Sequence, residues 1–217
     1  LNVPGWRKTN HFLENNKNVH IESGETKTGD LLSVDNLKYC IKKYGNSINI
    51  ITADGGFDFS IDFNKQESLA TNLLFAQVSF AISMQKTNGH FILKIFDIFT
   101  KTTSDIIYLL STLYKQVFII KPNTSRLANS EKYIVCKYFK EPPIQLINKI
   151  VSEYPKLQEN SFISSILNFK LDYYYINKLE EYNAIFGQQQ IENITSTLNL
   201  NGCKNKNERL ETIKKNN

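Results

Sequence analysis

The sequence predicts an α/β fold, a mostly parallel sheet finished by an antiparallel hairpin, and three observations carry that prediction. The stretch Asn49 to Phe57 is an apolar run that stops at Asp54, followed by Gly55 and Gly56. A short buried strand of a parallel sheet reads this way, with a carboxylate on its C-terminal edge and backbone room for a ligand. Second, segments of helical period, Glu67 to Gln85 and Ser104 to Tyr114, alternate with the apolar runs His90 to Phe96 and Val117 to Ile120. That order gives strand–helix–strand units. Third, the polar loop Asn123 to Ser130 leads into Lys132 to Phe139, whose alternating character suits a returning antiparallel strand.

Taken in order, Val3 to Asn18 mixes turn formers with Trp6, Phe12 and Leu13 and supports an irregular segment with one helical turn. Val19 to Glu22 is expected as a short strand, and Glu22 to Asp30, polar and glycine-punctuated, as a loop. Ser33 or Asp35 caps a helix carrying Leu37, Cys40 and Ile41, which ends at Tyr44-Gly45-Asn46. The segment Phe57 to Asn64 settles into no period. The helix from Glu67 is apolar on more than one side, as a helix buried against a sheet would be. Lys86 to Gly89 should end it. Thr102, Thr103 or Ser104 caps the next helix. Beyond Glu141-Pro142-Pro143 the chain reads as helical pieces, the longest from Asn177 to Leu198, and the residues from Gly202 onward form a polar, basic tail.

At 217 residues, 41% hydrophobic and 22% charged, the chain has the composition of a soluble globular domain. No apolar run approaches the roughly 20 residues that span a bilayer, so no membrane partner is expected. Leu1 to Trp6 lacks the basic start and apolar core of a signal peptide. A net charge of +5 suits a polyanionic partner without demanding one. Cys40, Cys136 and Cys203 are widely separated, which points to a reducing intracellular compartment. Neither they nor His11, His20 and His90 have metal-ligand spacing, so no metal is expected.

Three charged residues fall where such a sheet would present them together: Asp54 after one strand, Lys94 inside the apolar strand Phe91 to Phe96, and Glu131 at the start of the last strand. A lysine between Leu93 and Ile95, in a strand buried on both faces, costs free energy unless it is paired or used. The plainer readings are a lysine reaching off the strand end into water, or a structural ion pair.

Ala53-Asp54-Gly55-Gly56-Phe57, then Gly89 to Asp97, then Lys121-Pro122-Asn123-Thr124-Ser125-Arg126-Leu127-Ala128-Asn129-Ser130-Glu131 on through Lys137, together resemble the FtsJ-type RNA ribose 2′-O-methyltransferases. The likeness is strongest to the mRNA cap branch, cellular and large-DNA-virus enzymes that methylate the first transcribed nucleotide, and it covers roughly residues 24 to 139. It implies a Rossmann-like, S-adenosylmethionine-dependent core. By the same resemblance Asp54, Lys94 and Glu131 match the last three members of the family's Lys-Asp-Lys-Glu tetrad, with Lys94 in the general-base position. The sulfonium methyl is already electrophilic, so in-line placement of the ribose hydroxyl does most of the work and a neutral amine takes its proton.

The family's first Lys lies before a Gly-rich cofactor loop, and no such loop precedes Gly24; neither Lys8 nor Lys27 is assigned to that role. The expected organisation is therefore a methyltransferase core over residues 1–140 lacking its first strand and cofactor loop, a helical extension over 141–200, and a tail over 201–217. The favoured expectation is a fragment of a larger enzyme, whose activity need not reside in this piece alone; the alternative is a lineage that has lost cofactor binding. The resemblance places Asp30 and Leu31, with Asp54, against the cofactor, Asp30 toward the adenine. It places Asn64, Lys65 and Gln66, and separately Asn129, against the capped substrate. Lys121 and Arg126 could meet phosphates. Tyr173, Tyr174 and Tyr175 read as base-stacking residues or, more simply, as core or lid.

The implied function is methyl transfer to capped mRNA, alongside partner proteins of the capping or transcription machinery. The compartment would be cytoplasmic for a viral protein and nuclear for a cellular one. Two alternatives stand beside it: a 2′-O-methyltransferase of ribosomal or transfer RNA, and a non-catalytic RNA-binding or scaffold module that kept the fold.

Overall fold

The computed structural model of the protein describes residues 9–56, 66–158, 163–201 and 211. Among the described residues six helices and four strands follow one another: α1 (Asn10–Asn15), α2 (Val34–Tyr44), β1 (Ile48–Ala53), α3 (Gln66–Met84), β2 (Gln85–Ile95), α4 (Lys101–Leu113), β3 (Tyr114–Ile120), β4 (Lys132–Phe139), α5 (Ile144–Glu153) and α6 (Tyr173–Asn201). A 3-10 turn, Tyr154–Gln158, continues α5.

The sheet order is β1-β2-β4-β3. β1 and β2 are parallel, and β4 runs antiparallel to both of its neighbours. Three strands therefore point one way and the fourth slots between β2 and β3 as the return limb of the expected hairpin. The C-terminal ends of β1 and β2 and the start of β4 meet at one edge. Asp54, Lys94 and Glu131 lie there.

The two faces of the sheet differ. Phe91, Leu93, Ile95, Ile134 and Cys136 point into a single core with Leu37 and Cys40 of α2, the centre of α3, and Ile106 and Leu110 of α4. Every residue of α3 from Leu74 to Ser83 is buried. The helix has no polar face because the sheet, α2, α4 and Tyr154 surround it. On the other face the ladder sets His90, Ile92 and Lys94 opposite Lys137, Val135 and Tyr133, which in turn face Gln116, Phe118 and Ile120. These positions are half-buried or exposed. β2 is thus buried on one face rather than two, and Lys94 stands on the more open one. β1 is not a buried strand either. Among the described residues only β2 pairs with it, and Ile50 is 63% exposed.

Local signals mostly act as the sequence predicts. The Ser33 side chain accepts from the Asn36 N–H at the start of α2, and Gly45 closes that helix. The start of α4 lies earlier than expected, because Thr100 rather than Thr102, Thr103 or Ser104 caps it and accepts from the Thr103 N–H. Val19 to Glu22 forms no strand. Glu22 instead binds Lys43 and Tyr44 and clasps the following turn to α2. Lys86 to Gly89 does not separate α3 from β2: the strand starts at Gln85 and absorbs those residues as an irregularity facing Ile48–Ile50. Phe57 to Asn64 and the tail, apart from residue 211, lie outside the described residues.

Candidate active site

The strand register fixes the centre of the site. Ala53 pairs with Leu93, so Asp54, the first residue past β1, comes level with Lys94. Lys94 Nζ lies 2.9 Å from Asp54 Oδ1 and donates to the Asp54 carbonyl at 3.0 Å. The stem of Lys94 is mostly covered, its side chain 15% exposed, with the amine 5.9 Å from the centroid of the Phe96 ring. The Asp54 side chain is 70% exposed. An ion pair this open on one side contributes about 0–1 kcal/mol to stability.

The two glycines after Asp54 have separate reasons. Gly55 N–H donates to Gln77 Oε1 of α3 at 2.9 Å, and a Cβ on Gly55 would stand 2.8 Å from that same oxygen. Gly56 passes beside the amine, and a Cβ there would lie 3.5 Å from Lys94 Nζ. The chain is therefore led from β1 across α3 and alongside the lysine with no side chain in between.

Glu131 approaches from the third strand end. Its carboxylate accepts from Ser125 Oγ at 2.7 Å. It precedes Tyr133 by two residues, and Tyr133 stands opposite Lys94 on the same face. Burial raises the Tyr133 phenol above its ordinary value, and the negative charges of Glu131 and Asp54 add to the shift. Both carboxylates thus act on one phenol next to Lys94. Asp54 and Lys94 are in contact, whereas the Glu131 carboxylate is bound to Ser125. The sequence reading missed Tyr133. The alternation of Lys132 to Phe139 was the available signal, since it puts residue 133 on the face of Glu131.

The expected substrate contacts converge in part. Ser130 Oγ donates to Gln66 Oε1 at 3.2 Å, joining the start of α3 to the loop that carries Asn129. Asn64 and Lys65 lie outside the described residues. Asn129 and Lys121 bind each other, with Lys121 Nζ 2.8 Å from both the Asn129 carbonyl and Oδ1. The expectation of Lys121 as a phosphate contact is thereby corrected: its ammonium is turned inward onto the loop. Arg126 is exposed.

Asp30 and Leu31 lie elsewhere. They line a cavity of about 320 Å³ with Ile48, Ile50, Ile51 and Met84, and Asp54 is not part of its wall. Asp30 Oδ1 accepts from the Leu32 N–H at 2.8 Å. The aromatic run divides: Tyr175 is core, its hydroxyl donating to the Ser104 carbonyl and its ring edge-on to Tyr108, whereas Tyr173 and Tyr174 are exposed. His90 accepts from the Tyr138 N–H. Among the described residues no group of His, Cys, Asp and Glu could hold a metal ion, and no helix is long and apolar enough to cross a membrane.

Comparison with known proteins bears on the family of the chain. The model of the FtsJ-like methyltransferase family matches residues 8–139. A cap-specific mRNA (nucleoside-2′-O-)-methyltransferase 1 of Drosophila melanogaster is 32% identical over 154 residues, 66% of this chain and 20% of that protein. The protein of the same name from Trypanosoma brucei brucei is 29% identical over 177 residues, 79% of this chain and 48% of its own. The human one is 45% identical over 93 residues, 43% of this chain and 11% of its own. The chain thus spans less than half the length of these relatives. A solved Plasmodium falciparum chain, described as a ribosomal RNA methyltransferase, superimposes with a TM-score of 0.38 at 23% identity over 56% of this chain and 62% of its own. The family model covers more than half of the 217 residues and includes the strand ends that carry Asp54, Lys94 and Glu131. The chain belongs to the FtsJ-like methyltransferase family.

Proposed function

We propose that the protein carrying this chain transfers a methyl group from S-adenosylmethionine to the ribose 2′-hydroxyl of the first transcribed nucleotide of capped mRNA. The supporting observation is the contact of Lys94 with Asp54, on an open sheet edge shared with Tyr133 and Glu131. In this reading Lys94 first gives up one ammonium proton and, as the neutral amine, accepts the hydroxyl proton as the oxygen attacks. Asp54, bound to the amine through both its carboxylate and its carbonyl, fixes the direction in which Nζ points. Glu131, held by Ser125 just before β4, stands at the same edge of the sheet.

When bound, the cofactor supplies an electrophilic sulfonium methyl. The residues present suit it in part. The cavity beside Asp30 and Leu31 is mostly apolar-walled and carries two carboxylates, Glu22, already bound to Lys43 and Tyr44, and Asp30, which suits an adenine amino group. Gln66 and Asn129, joined through Ser130, would meet the capped end of the RNA, with Asn64 and Lys65 in the same segment. In this reading residues 1–140 form the catalytic core, 141–200 a helical extension and 201–217 a basic tail. Nuclear or cytoplasmic action, beside other proteins of the capping or transcription machinery, follows from a cellular or viral source.

The test uses the complete protein with labelled S-adenosylmethionine and three RNAs: capped, uncapped, and capped with a 2′-deoxy first nucleotide. Label should enter only the first. Equal labelling of uncapped RNA would favour a ribosomal or transfer RNA enzyme. No labelling, with no cofactor binding by calorimetry, would favour a binding module.

A further inference from the structure

The loop that carries Asn129 and Glu131 hangs between β3 and β4, and its ends are joined by one side chain. Lys121 follows the last residue of β3. Its Nζ donates to the Asn129 carbonyl, to Asn129 Oδ1 and to the Glu131 carbonyl, each at 2.8 Å. An ammonium has three donors, and all three are used within this one loop. Asn129 Oδ1 also accepts from the Glu131 N–H at 3.2 Å, so the amide passes the constraint directly to the glutamate. The remaining backbone bonds inside the loop are local turns, Ser125 N–H to the Pro122 carbonyl and Asn129 N–H to the Arg126 carbonyl, and the Ser125 hydroxyl donates to the Glu131 carboxylate at 2.7 Å. None of these three starts at the end of β3, as the Lys121 bonds do.

We propose that Lys121 is a positioning residue that sets Glu131 and Asn129 in the active site by closing this loop, an assignment that rests on the methyl-transfer reading above. Its alternative use, as a surface cation for RNA phosphates, conflicts with an ammonium saturated by protein oxygens. The balance of charge around it also fits an internal post. Burial lowers the Lys121 pKa, the nearby Lys132 cation lowers it further, and Glu131 and Asp97 oppose the shift. Arginine would not replace it, because a planar fork cannot converge three donors on these oxygens from the same stem.

Two measurements on the complete protein decide the matter. In a double-mutant cycle, Lys121→Met should lower kcat for capped RNA by about tenfold or more while KM for S-adenosylmethionine stays within about twofold. Lys121→Arg should remain impaired. Adding Lys121→Met to Glu131→Gln should cost less than about twofold beyond Glu131→Gln alone, because one acts through the other. Independent, multiplying losses would overturn the proposal, as would full activity of Lys121→Arg. Amide hydrogen exchange supplies the second arm and needs no turnover. Lys121→Met should speed exchange at Glu131 by about tenfold or more and leave the amides of α3 unchanged. Unchanged exchange at Glu131 would overturn the brace itself. Absence of turnover in the unsubstituted protein would instead refute methyl transfer, leaving the exchange result to stand alone.

Discussion

Individual side chains at the sheet edge obey opposite demands. Lys94 gains little stability from Asp54, yet Gly56 keeps the chain beside it clear, while Gly55 makes room for Gln77. Gly55→Ala forces Gln77 aside and breaks the Gly55 N–H bond. We expect a loss of about 1 kcal/mol in urea unfolding and a larger proportional loss of activity. Cys136, fully buried on β4, has its thiol pKa pushed up to about 12 by burial. It should resist alkylation in the native protein at neutral pH and react only in denaturant, as read by mass spectrometry. Asp54, Lys94 and Glu131 stood out in the sequence as charges at the ends of, or inside, apolar strands, and the sheet brings those strand ends to one edge. The supposed cost of burying Lys94 does not apply, because its face of β2 is the more open one. Tyr133 did not stand out, since an aromatic residue in a strand has an ordinary explanation in packing.

The elements are held by a few polar clasps that period and propensity do not reveal. Asp105, fully buried on α4, accepts from Lys101, Ser165 Oγ and the N–H groups of Ile166 and Leu167. Burial pulls its pKa up, but the Lys101 ammonium and those donors outweigh it and leave it lowered. Asp105→Ala would strand two amides and free the 163–168 segment from α4, at a cost of about 3 kcal/mol measured by chemical denaturation. Glu22 is the matching clasp on α2. The Lys43 ammonium, the Tyr44 hydroxyl and the Gly24 N–H hold its pKa at about 2. Its stabilisation is full above the ordinary glutamate value, about 4.3, and disappears as pH falls toward 2. Glu22→Gln should flatten the acid limb of a stability–pH profile between those limits. The expected strand at Val19 to Glu22 failed for this reason: Glu22 is committed sideways to α2, not along a ladder. The Thr100 cap was missed because its side chain also accepts and donates among threonines that look equivalent in sequence.

At the scale of the whole sheet, one face makes the core and the other, more open face carries Lys94 and Tyr133. Leu93 is fully buried and Phe118 is 46% exposed, although both lie in apolar strands. Leu93→Ala should cost about 3 kcal/mol and Phe118→Lys less than about 0.5 kcal/mol by the same unfolding assay. The alternation of strands and helices was readable because the apolar period changes with each element. The openness of the second face was not, because Ile50, Ile92, Val135 and Phe118 are residues that any buried strand would carry. Asp30 and Leu31, in turn, fall in a cavity apart from Asp54, a separation that no spacing in the sequence encodes.

The central claim is that the Lys94 amine, aimed by Asp54, takes the proton of a ribose hydroxyl. Its most direct test is single-turnover methyl transfer to capped RNA by the complete protein with Lys94→Ala, beside a thermal unfolding curve. The account predicts a rate lower by about a hundredfold or more with the unfolding midpoint unchanged within a few degrees. A rate within about twofold of the unsubstituted protein would contradict it.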